Sequence, residues 1–252
     1  MEAFRLVTIN ENERIDYLVA NEDMPIIQSS SVFSYSLDAL LLANFTYVPI
    51  QKGQILDLGT GNGVIPLLLS QRTNALIYGL EIQTKLADMA SRSVQLNHLT
   101  KQIRIVVGDL RENQQQLLQS NFDVVTCNPP YFNTPHETEF NANEYFTIAR
   151  HEVTCSLEDV VRAAKRYVKP GGKVSIVHRP DRFVDLMELF RSYQIEPKRL
   201  RFIYPKRDRN ANMLLIEGVR DGKVGLTLLP PLYIYDKQNE YTEEARAIIY
   251  GR

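Results

Sequence analysis

ILDLGTGNGV, residues 55–64, decides the fold expected for this chain. An apolar run typical of a buried strand ends here, and Gly59, Gly61 and Gly63 follow at every second position. Alternating glycines allow a tight turn and the close approach of a ligand to the backbone. A strand that ends in such a loop and leads into a helix is typical of the ligand-binding edge of a doubly wound α/β sheet.

Outward from this loop, short Val, Ile and Leu runs alternate with amphipathic segments. Such runs imply parallel strands covered on both faces, so we predict a doubly wound, Rossmann-like, seven-stranded, mostly parallel sheet. Helices are predicted from about Thr84 to Leu96, Ser156 to Val168 and Asp181 to Tyr193, with a KPGG turn before KVSIVH. The predicted strands are QILDL, ALIYGLE, IRIVVGD, FDVVTC, KVSIVH, RLRFIYP and NMLLIEGV. Two further helices are predicted over VIPLLLSQR and NQQQLLQ. The tail is predicted to form a strand-like piece and a short helix.

The first 50 residues are predicted to form a small extension packed on a core domain of residues 51–252. Residues 4–28 contain short apolar stretches divided by polar turns, which indicates a β-hairpin. A helix capped by Ser36 or Asp38 follows, and its residues on one face are Leu37, Leu40, Leu41 and Phe45. Just before that cap, Phe33 and Tyr35 are candidates for lining a substrate pocket, with a hydrophobic staple onto the helix as the alternative.

Acidic residues stand at the ends of three predicted strands, and the carboxyl ends of parallel strands meet at one edge of the sheet. Asp57 precedes the glycines, Glu81 is placed to accept hydrogen bonds from both hydroxyls of a ribose, and Asp109 from an adenine amine. Nicotinamide dinucleotides and S-adenosylmethionine both suit this layout. A dinucleotide motif, however, would place glycine where Val64 stands, and a cationic cofactor tolerates Asp57 better. We therefore predict S-adenosylmethionine, bound by Asp57, Gly59, Thr60, Gly61, Asn62, Gly63, Glu81, Ile82, Asp109, Leu110 and Asn128.

A second motif, Asn128-Pro129-Pro130-Tyr131, stands where the apolar strand FDVVTC ends. Consecutive prolines stiffen the backbone and leave carbonyl groups free to face a cleft. An amide, a free carbonyl and an aromatic ring can together hold a flat group that bears an amine, so these four residues are the predicted catalytic set. A strand-ending turn without chemical function is the alternative. The polar and aromatic stretch that follows is long for a loop, and long loops are often functional.

The composition is that of a globular protein, with 44% hydrophobic and 23% charged residues and a net charge of -1. From Arg150 to Asn210, however, there are 15 Lys and Arg against 8 Asp and Glu. A basic region on a nearly neutral chain suits a polyanionic substrate, although a solvated surface is the simpler alternative. The predicted substrate-binding residues are Phe33, Tyr35, His151, Arg179, Arg182, Lys206, Arg207 and Arg209.

Targeting and metal signals are missing from the sequence. Its first residues mix charges with short apolar stretches, so we expect neither a signal peptide nor a membrane span, and cytoplasmic residence follows. Cys127 and Cys155 are too few for a disulfide framework, and the four histidines have no zinc-binding spacing. We therefore expect no metal, no membrane partner, and a monomer or weak homo-oligomer.

Together, DLGTGNG, Glu81, the Gly108-Asp109 pair and NPPY resemble class I methyltransferases that modify exocyclic or amide nitrogens. The resemblance implies that Asn128 and the Pro129 carbonyl accept hydrogen bonds from the target amine, and that Tyr131 stacks on the ring. Further stretches resemble the bacterial tRNA1(Val) adenine N6-methyltransferases, which implies a tRNA substrate. These stretches are VFSYSLDALLLANF, ARHEVTCSLEDVVRAA, IVHRPDRFVDL and PKRDRNANMLLIEGVRDGK.

Other functions remain open at this stage. NPPY also serves enzymes that methylate guanine N2 in rRNA or glutamine N5 in release factors. The latter usually carry a helical N-terminal domain, whereas about 50 strand-like residues precede the glycines here. Outside methyl transfer, the alternatives are a nicotinamide oxidoreductase and an RNA-binding module with a vestigial cofactor pocket.

Overall fold

The computed structural model describes residues 7–29, 36–48, 51–118, 121–129 and 155–251. The strands are β1 Glu13–Leu18, β2 Asn21–Ser29, β3 Gln54–Leu58, β4 Leu76–Glu81, β5 Ile103–Val107, β6 Phe122–Cys127, β7 Val168–His178, β8 Ile195–Tyr204, β9 Met213–Arg220, β10 Thr227–Leu228 and β11 Leu232–Tyr233. The α-helices are α1 Leu37–Phe45, α2 Val64–Ser70, α3 Thr84–Leu96, α4 Gln115–Leu118, α5 Leu157–Tyr167, α6 Phe183–Ser192 and α7 Glu243–Tyr250, and a 3-10 turn, Pro180–Arg182, precedes α6.

The central sheet has the order β10-β8-β9-β7-β6-β3-β4-β5, with β11 also paired to β8. Among its seven long strands, only β9 is antiparallel to its neighbours, β7 and β8. The switch from β3 to β6 on one side and β4 on the other makes the sheet doubly wound, as the alternating apolar runs predict. The prediction of a seven-stranded, mostly parallel sheet is confirmed, and β10 and β11 extend it by two short strands parallel to β8.

Two apolar clusters cover the two faces of this sheet. Alternate residues of each strand divide between them, so Ile55 joins the cluster that contains α1, α2 and α7, and Leu56 joins the cluster that contains α5 and α6. The helix α1 is more enclosed than its predicted single apolar face implies, because Leu42 and Ala43 are buried as well as Leu40 and Leu41. It lies between α2, α7 and the sheet.

The amphipathic helices begin and end close to where the sequence predicts. α3 spans Thr84–Leu96, the predicted range. α5 begins at a capping box, in which Asp159 N donates to Ser156 Oγ at 3.1 Å and Ser156 N donates to Asp159 Oδ2 at 2.9 Å. Ser36 stands at the N-cap of α1 and makes no side-chain cap hydrogen bond. The predicted KPGG turn is absorbed into the long strand β7, where the register with β6 shifts.

An antiparallel hairpin, β1 and β2, forms a separate two-stranded sheet, as predicted. It is bound to α3 by Arg92, whose guanidinium donates to both carboxylate oxygens of Glu13 at 2.7 Å. The hydrogen bond from Arg92 keeps the pKa of the Glu13 carboxyl below its usual value. Asn97 Nδ2 also donates to the Pro25 carbonyl at 2.7 Å, so both ends of the hairpin are tied to this helix.

Candidate active site

Three parallel strands end side by side at the carboxyl edge of the sheet. Leu58, the last residue of β3, is level with Cys127 at the end of β6 and with Leu80 near the end of β4. Gly59 and Asn128 therefore leave neighbouring strands at the same height, about 5 Å apart laterally. The sheet thus brings the glycine loop and the NPPY segment together, which their separation in sequence does not reveal.

The glycine loop is held by backbone hydrogen bonds to β4. Gly59 N and Thr60 N both donate to the Leu80 carbonyl, at 2.8 and 3.0 Å. Gly59 and Gly61 have φ values of +66° and +57°, and a Cβ atom at either position would meet open space. Gly63 is different, because a Cβ there would lie 3.1 Å from the Ala90 Cβ of α3. Two glycines thus leave room above the loop, and the third allows the loop to pack on a helix.

Glu81 closes the loop from the end of β4. Its carboxylate accepts from Gly61 N at 2.8 Å and from Gln83 N at 2.9 Å. Burial raises the pKa of this carboxyl, while hydrogen bonds from the backbone of Gln83, Gly61 and Ile82 oppose the shift. A carboxylate has about four acceptor sites, so Glu81 can accept a further donor, such as a ligand hydroxyl. The next residue, Ile82, exposes 43% of its surface beside this carboxylate and offers an apolar face to a flat ring.

Asp57 lies beneath the loop and is fully buried. Its Oδ1 accepts a hydrogen bond from Thr126 Oγ1 of β6 at 2.7 Å. Its Oδ2 has no hydrogen bond of standard geometry from any described residue. Burial raises the pKa of the Asp57 carboxyl to about 7, against the opposing effect of the Thr60 and Thr126 hydroxyls. A buried carboxyl oxygen that makes no hydrogen bond of standard geometry favours a cation or a further donor close to it.

Two other predicted cofactor residues already have protein partners. The Asp109 carboxylate is held by Arg111, whose Nη2 lies 2.5 Å from Oδ2, and this hydrogen bond lowers the pKa of the carboxyl. Asn62 is 4% exposed, and its Nδ2 donates to the Ile27 carbonyl of β2 at 3.1 Å. Leu110 is half-buried against the α5 and α6 side of the core. A role in cofactor binding stays a prediction for all three.

Asn128 and Pro129 follow β6 directly. Asn128 is half-buried and Pro129 is buried. Pro130, Tyr131, Phe33, Tyr35 and His151 lie outside the described residues. Within the described ranges, no group of three or more His, Cys, Asp or Glu side chains could hold a metal ion, and no helix is long and apolar enough to cross a membrane.

The predicted RNA-contacting cations lie along the same edge as Asn128. Arg179 and Arg182 follow the end of β7, next to β6. Lys206, Arg207 and Arg209 occupy the turn between β8 and β9, at the carboxyl end of β8. Arg207 and Arg209 are exposed. Because β6, β7 and β8 point the same way, these charges lie on the same side of the molecule as Asn128 and Pro129.

The family model described as "methyltransferase small domain" matches residues 23–203. That range contains the glycine loop, Glu81, Asp109 and the NPPY segment. The chain belongs to this family. The match begins within β2 of the hairpin and ends near the last residue of β8.

Relatives of this methyltransferase small domain protein are about 30% identical to it over the aligned segments. A protein of Shewanella halifaxensis named tRNA1(Val) (adenine(37)-N6)-methyltransferase is 30% identical over 154 residues, which is 61% of this chain and 60% of that one. A Bacteroides fragilis protein of the same name is 29% identical over 199 residues, covering 73% of this chain and 82% of its own. The match to the Shewanella protein thus spans less than two thirds of that relative's length.

Solved methyltransferase structures share the fold. A protein from Agrobacterium tumefaciens, titled a predicted O-methyltransferase, aligns with a TM-score of 0.67 at 22% identity and covers 85% of this chain and 96% of its own. Geranyl diphosphate C-methyltransferase from Streptomyces coelicolor aligns with a TM-score of 0.53 at 12% identity, covering 72% and 79%. These likenesses confirm the predicted class I methyltransferase architecture.

Sequence reasoning missed two parts of this site. Thr126 is one: its hydroxyl donates to Asp57 from the neighbouring strand, and a polar residue within the apolar run FDVVTC was the available signal. The tie between Asn62 and Ile27 had no signal in the sequence, because 35 residues separate them. It makes the hairpin a neighbour of the glycine loop.

Proposed function

We propose that this protein transfers a methyl group from S-adenosylmethionine to N6 of an adenine in tRNA, at position 37 of the anticodon loop of tRNA1(Val). One observation carries the proposal. Asn128 and Pro129 leave β6 level with the glycine loop of β3, in a chain whose relatives carry this enzyme name. A methyl acceptor held by the first segment would therefore lie beside a cofactor held by the second.

The residues of the glycine loop fit S-adenosylmethionine. Gly59 and Gly61 leave open space above the backbone, and the buried Asp57 carboxyl has an oxygen without a standard donor. Glu81 would accept the ribose hydroxyls, and Ile82 would cover the adenine ring. When bound, the cofactor supplies an electrophilic methyl group. The carboxyl groups beneath the site favour a cationic ligand, whereas the pyrophosphate of a dinucleotide is an anion and would be repelled.

Asn128 and the Pro129 carbonyl would act on the acceptor amine. The lone pair of adenine N6 is delocalised into the ring, so the nitrogen is a poor nucleophile. Two acceptors on its hydrogens would draw it toward tetrahedral geometry as the new N–C bond forms and the S–C bond to the methyl group breaks; S-adenosylhomocysteine would be the leaving product, and solvent would take the proton released. Tyr131 would stack on the base. The base must leave its loop to reach the pocket, which costs little for an unpaired nucleotide.

The edge cations support a nucleic acid substrate. Asn128 follows the carboxyl end of β6, and the cations on the same side of the molecule are Arg179, Arg182 and those of the Lys206–Arg209 turn. Phosphate groups of a tRNA loop and stem would contact them while one base occupies the pocket.

Mass spectrometry of nucleosides tests the proposal directly. Unmodified total tRNA, rRNA and transcribed tRNA1(Val) are incubated with the protein and isotope-labelled S-adenosylmethionine, then digested. We expect labelled N6-methyladenosine from tRNA1(Val), and none from the same transcript with guanine at position 37.

Other products would contradict it in distinguishable ways. N2-methylguanosine as the sole product would mean a guanine enzyme, and label in a release factor would mean a glutamine enzyme. Calorimetric binding of NAD without binding of S-adenosylhomocysteine would mean an oxidoreductase. Tight tRNA binding without transfer of label under any condition would mean a vestigial cofactor site.

A further inference from the structure

Four half-buried aromatic rings line the outer part of the sheet on the face covered by α5 and α6. Phe183 of α6 packs edge-on against Phe202 of β8, with ring centroids 5.7 Å apart. Two residues further along β8, Tyr204 lies 5.4 Å from Tyr233 of β11, its register partner. Residues two apart on a strand share a face, so the four form one row, here called the aromatic strip.

The strip is not simply the margin of the core. Ile203 and Leu232, which precede the two tyrosines, belong to the apolar cluster on the opposite face. Tyr204 and Tyr233 therefore point away from that cluster, and neither belongs to a buried cluster among the described residues. α6 covers Phe202, whereas the tyrosines stand at the last positions of their strands and remain partly open to solvent.

Arginine accompanies the strip at its open end. The Arg207 guanidinium lies over the Tyr233 ring, 5.3 Å from its centroid. Arg207 is exposed, so the pair presents a cation and an aromatic face together at the surface. Acidic side chains also occur nearby in sequence, at Asp208 and Asp236, and these would repel a phosphate placed directly over them. The recognition elements of the strip are therefore a flat ring surface with one adjoining cation, more suited to bases than to a phosphate backbone alone.

The open end of the strip is on the same edge as the proposed catalytic residues. Tyr204 ends β8, which is separated from β6 by β9 and β7, so it lies roughly 14 Å laterally from the end of β6. The β8–β9 turn, which carries Lys206, Arg207 and Arg209, projects from this edge. A nucleic acid chain with one base at Asn128 can reach the strip with a nucleotide close to that base.

We propose that Tyr204 and Tyr233, with Arg207, form a stacking site for an unpaired base of the substrate RNA next to the methylated nucleotide. The proposal rests on the proposed function, since it assigns a second contact to the same RNA. Stacking on tyrosine needs a ring face and tolerates any base, and the arginine beside the ring adds a contact to the phosphate of the stacked nucleotide. The stacked base would fix the register in which the loop enters the pocket.

Substitutions of the full-length chain separate the ring from the charge. Tyr233→Ala and Tyr204→Ala should each weaken tRNA binding by roughly 5- to 150-fold at constant salt, and Tyr233→Phe should keep wild-type affinity because it keeps the ring. Arg207→Ala should lower the slope of log affinity against log salt by about 0.7 to 0.9, while the tyrosine variants leave that slope unchanged. Affinities are measured by fluorescence anisotropy of labelled tRNA1(Val) at several salt concentrations.

Tyr193→Ala is the matched control, since Tyr193 follows α6 just before β8, at the opposite edge of the sheet. It should bind tRNA as the wild type does. Affinity for S-adenosylhomocysteine and the midpoint of thermal unfolding identify variants that fail to fold. If the tyrosine-to-alanine variants do not fold, Tyr233→Phe and Arg207→Ala still test the inference.

Three results would overturn the inference. The first is wild-type tRNA affinity in folded Tyr233→Ala and Tyr204→Ala. The second is equal loss of affinity in Tyr233→Phe and Tyr233→Ala, which would assign the effect to the hydroxyl. The third is an unchanged salt slope in Arg207→Ala. If the wild type methylates tRNA while any of these results is found, the stacking site is wrong and the proposed function stands. If the wild type neither binds nor methylates tRNA, the stacking site and the proposed function are both wrong.

Discussion

Asn128 is the single residue on which the proposed chemistry depends most. Its amide oxygen would accept a hydrogen bond from the reacting nitrogen, and preorganised hydrogen-bonding groups of this kind strongly affect the rate of the chemical step. We expect Asn128→Ala to lower the single-turnover rate of tRNA methylation by about 10² to 10³. Rapid-quench assays with labelled cofactor measure this rate.

Asn74→Ala is a suitable control for that experiment, because Asn74 is exposed and its Nδ2 contacts only the Gln51 side chain among the bonds of the described residues. It should retain the wild-type rate. A wild-type rate in Asn128→Ala would remove Asn128 from the catalytic set and leave the NPPY segment as a strand-ending turn.

Asp57 should make the stability of the cofactor-free protein depend on pH. Burial raises the pKa of its carboxyl to about 7 from 3.8, so the folded state holds a proton that the unfolded state has released. The free energy of unfolding should therefore fall as pH rises from about 4 to about 7, by on the order of 4 kcal/mol from this group. Glu81, whose pKa is also raised, acts in the same direction.

Urea unfolding at pH 5 and pH 8 tests this for the wild type and for Asp57→Asn, which can still accept the Thr126 hydrogen bond. The pH slope should be smaller in Asp57→Asn. A cationic cofactor favours ionised Asp57, so wild-type affinity for S-adenosylmethionine should rise as pH increases through 7. Identical pH slopes in the two proteins would show that Asp57 does not titrate in this range.

At the scale of elements, the hairpin meets both the glycine loop and α3 at the backbone of one residue, Ile27. Ile27 N donates to Ser93 Oγ of α3 at 2.9 Å, and the Ile27 carbonyl accepts from Asn62 Nδ2 at 3.1 Å. Both side chains are buried. β2 therefore holds the side chain of the loop residue between Gly61 and Gly63, and we expect Asn62 to act as a positioning residue for the proposed cofactor site.

Asn62→Ala and Ser93→Ala each remove one of these two hydrogen bonds and should each lower the free energy of unfolding by about 1 to 3 kcal/mol. Only Asn62→Ala frees the glycine loop, so only this variant should also bind S-adenosylhomocysteine more weakly, by several-fold or more. Thermal unfolding and calorimetric titration measure the two effects. Equal cofactor affinities in the two variants would show that the hairpin supports stability alone.

For the whole molecule, the distribution of charge along the carboxyl edge should govern the salt dependence of tRNA binding. Lys206, Arg207 and Arg209 lie on this edge, whereas Lys52, Lys101 and Lys223 are exposed at the opposite edge. Each phosphate contact contributes about 0.7 to 0.9 to the slope of log affinity against log salt. Reversing the first three charges to Glu should weaken binding and reduce this slope.

Reversal of Lys52, Lys101 and Lys223 changes the net charge by the same amount and serves as the control. It should affect affinity far less, because long-range attraction is largely screened at physiological salt. Equal losses in the two triple variants would mean that net charge, and not this edge, attracts the RNA.

Most of the fold follows from local patterns in the sequence. The apolar period of α3 predicts its two ends, and the seven apolar runs predict the seven long strands. The strand-like piece predicted in the tail forms two separate strands, β10 and β11, and the sequence did not predict this division, because two-residue strands have no period of their own and their pairing depends on the edge that β8 offers. The enclosure of α1 likewise depends on α2, α7 and the sheet.

The sequence by itself determined the glycine loop, the acidic strand ends and the NPPY segment, because glycine and proline restrict or free the backbone wherever they stand. Only the tertiary structure decided which of these groups are neighbours and which protonation state the buried carboxyl groups adopt. Thr126 donates a hydrogen bond to Asp57 from the neighbouring strand, and Asn62 donates one to the hairpin. Burial raises the pKa of the Asp57 carboxyl. These properties depend on solvation and on partners far apart in the chain, which local sequence does not specify.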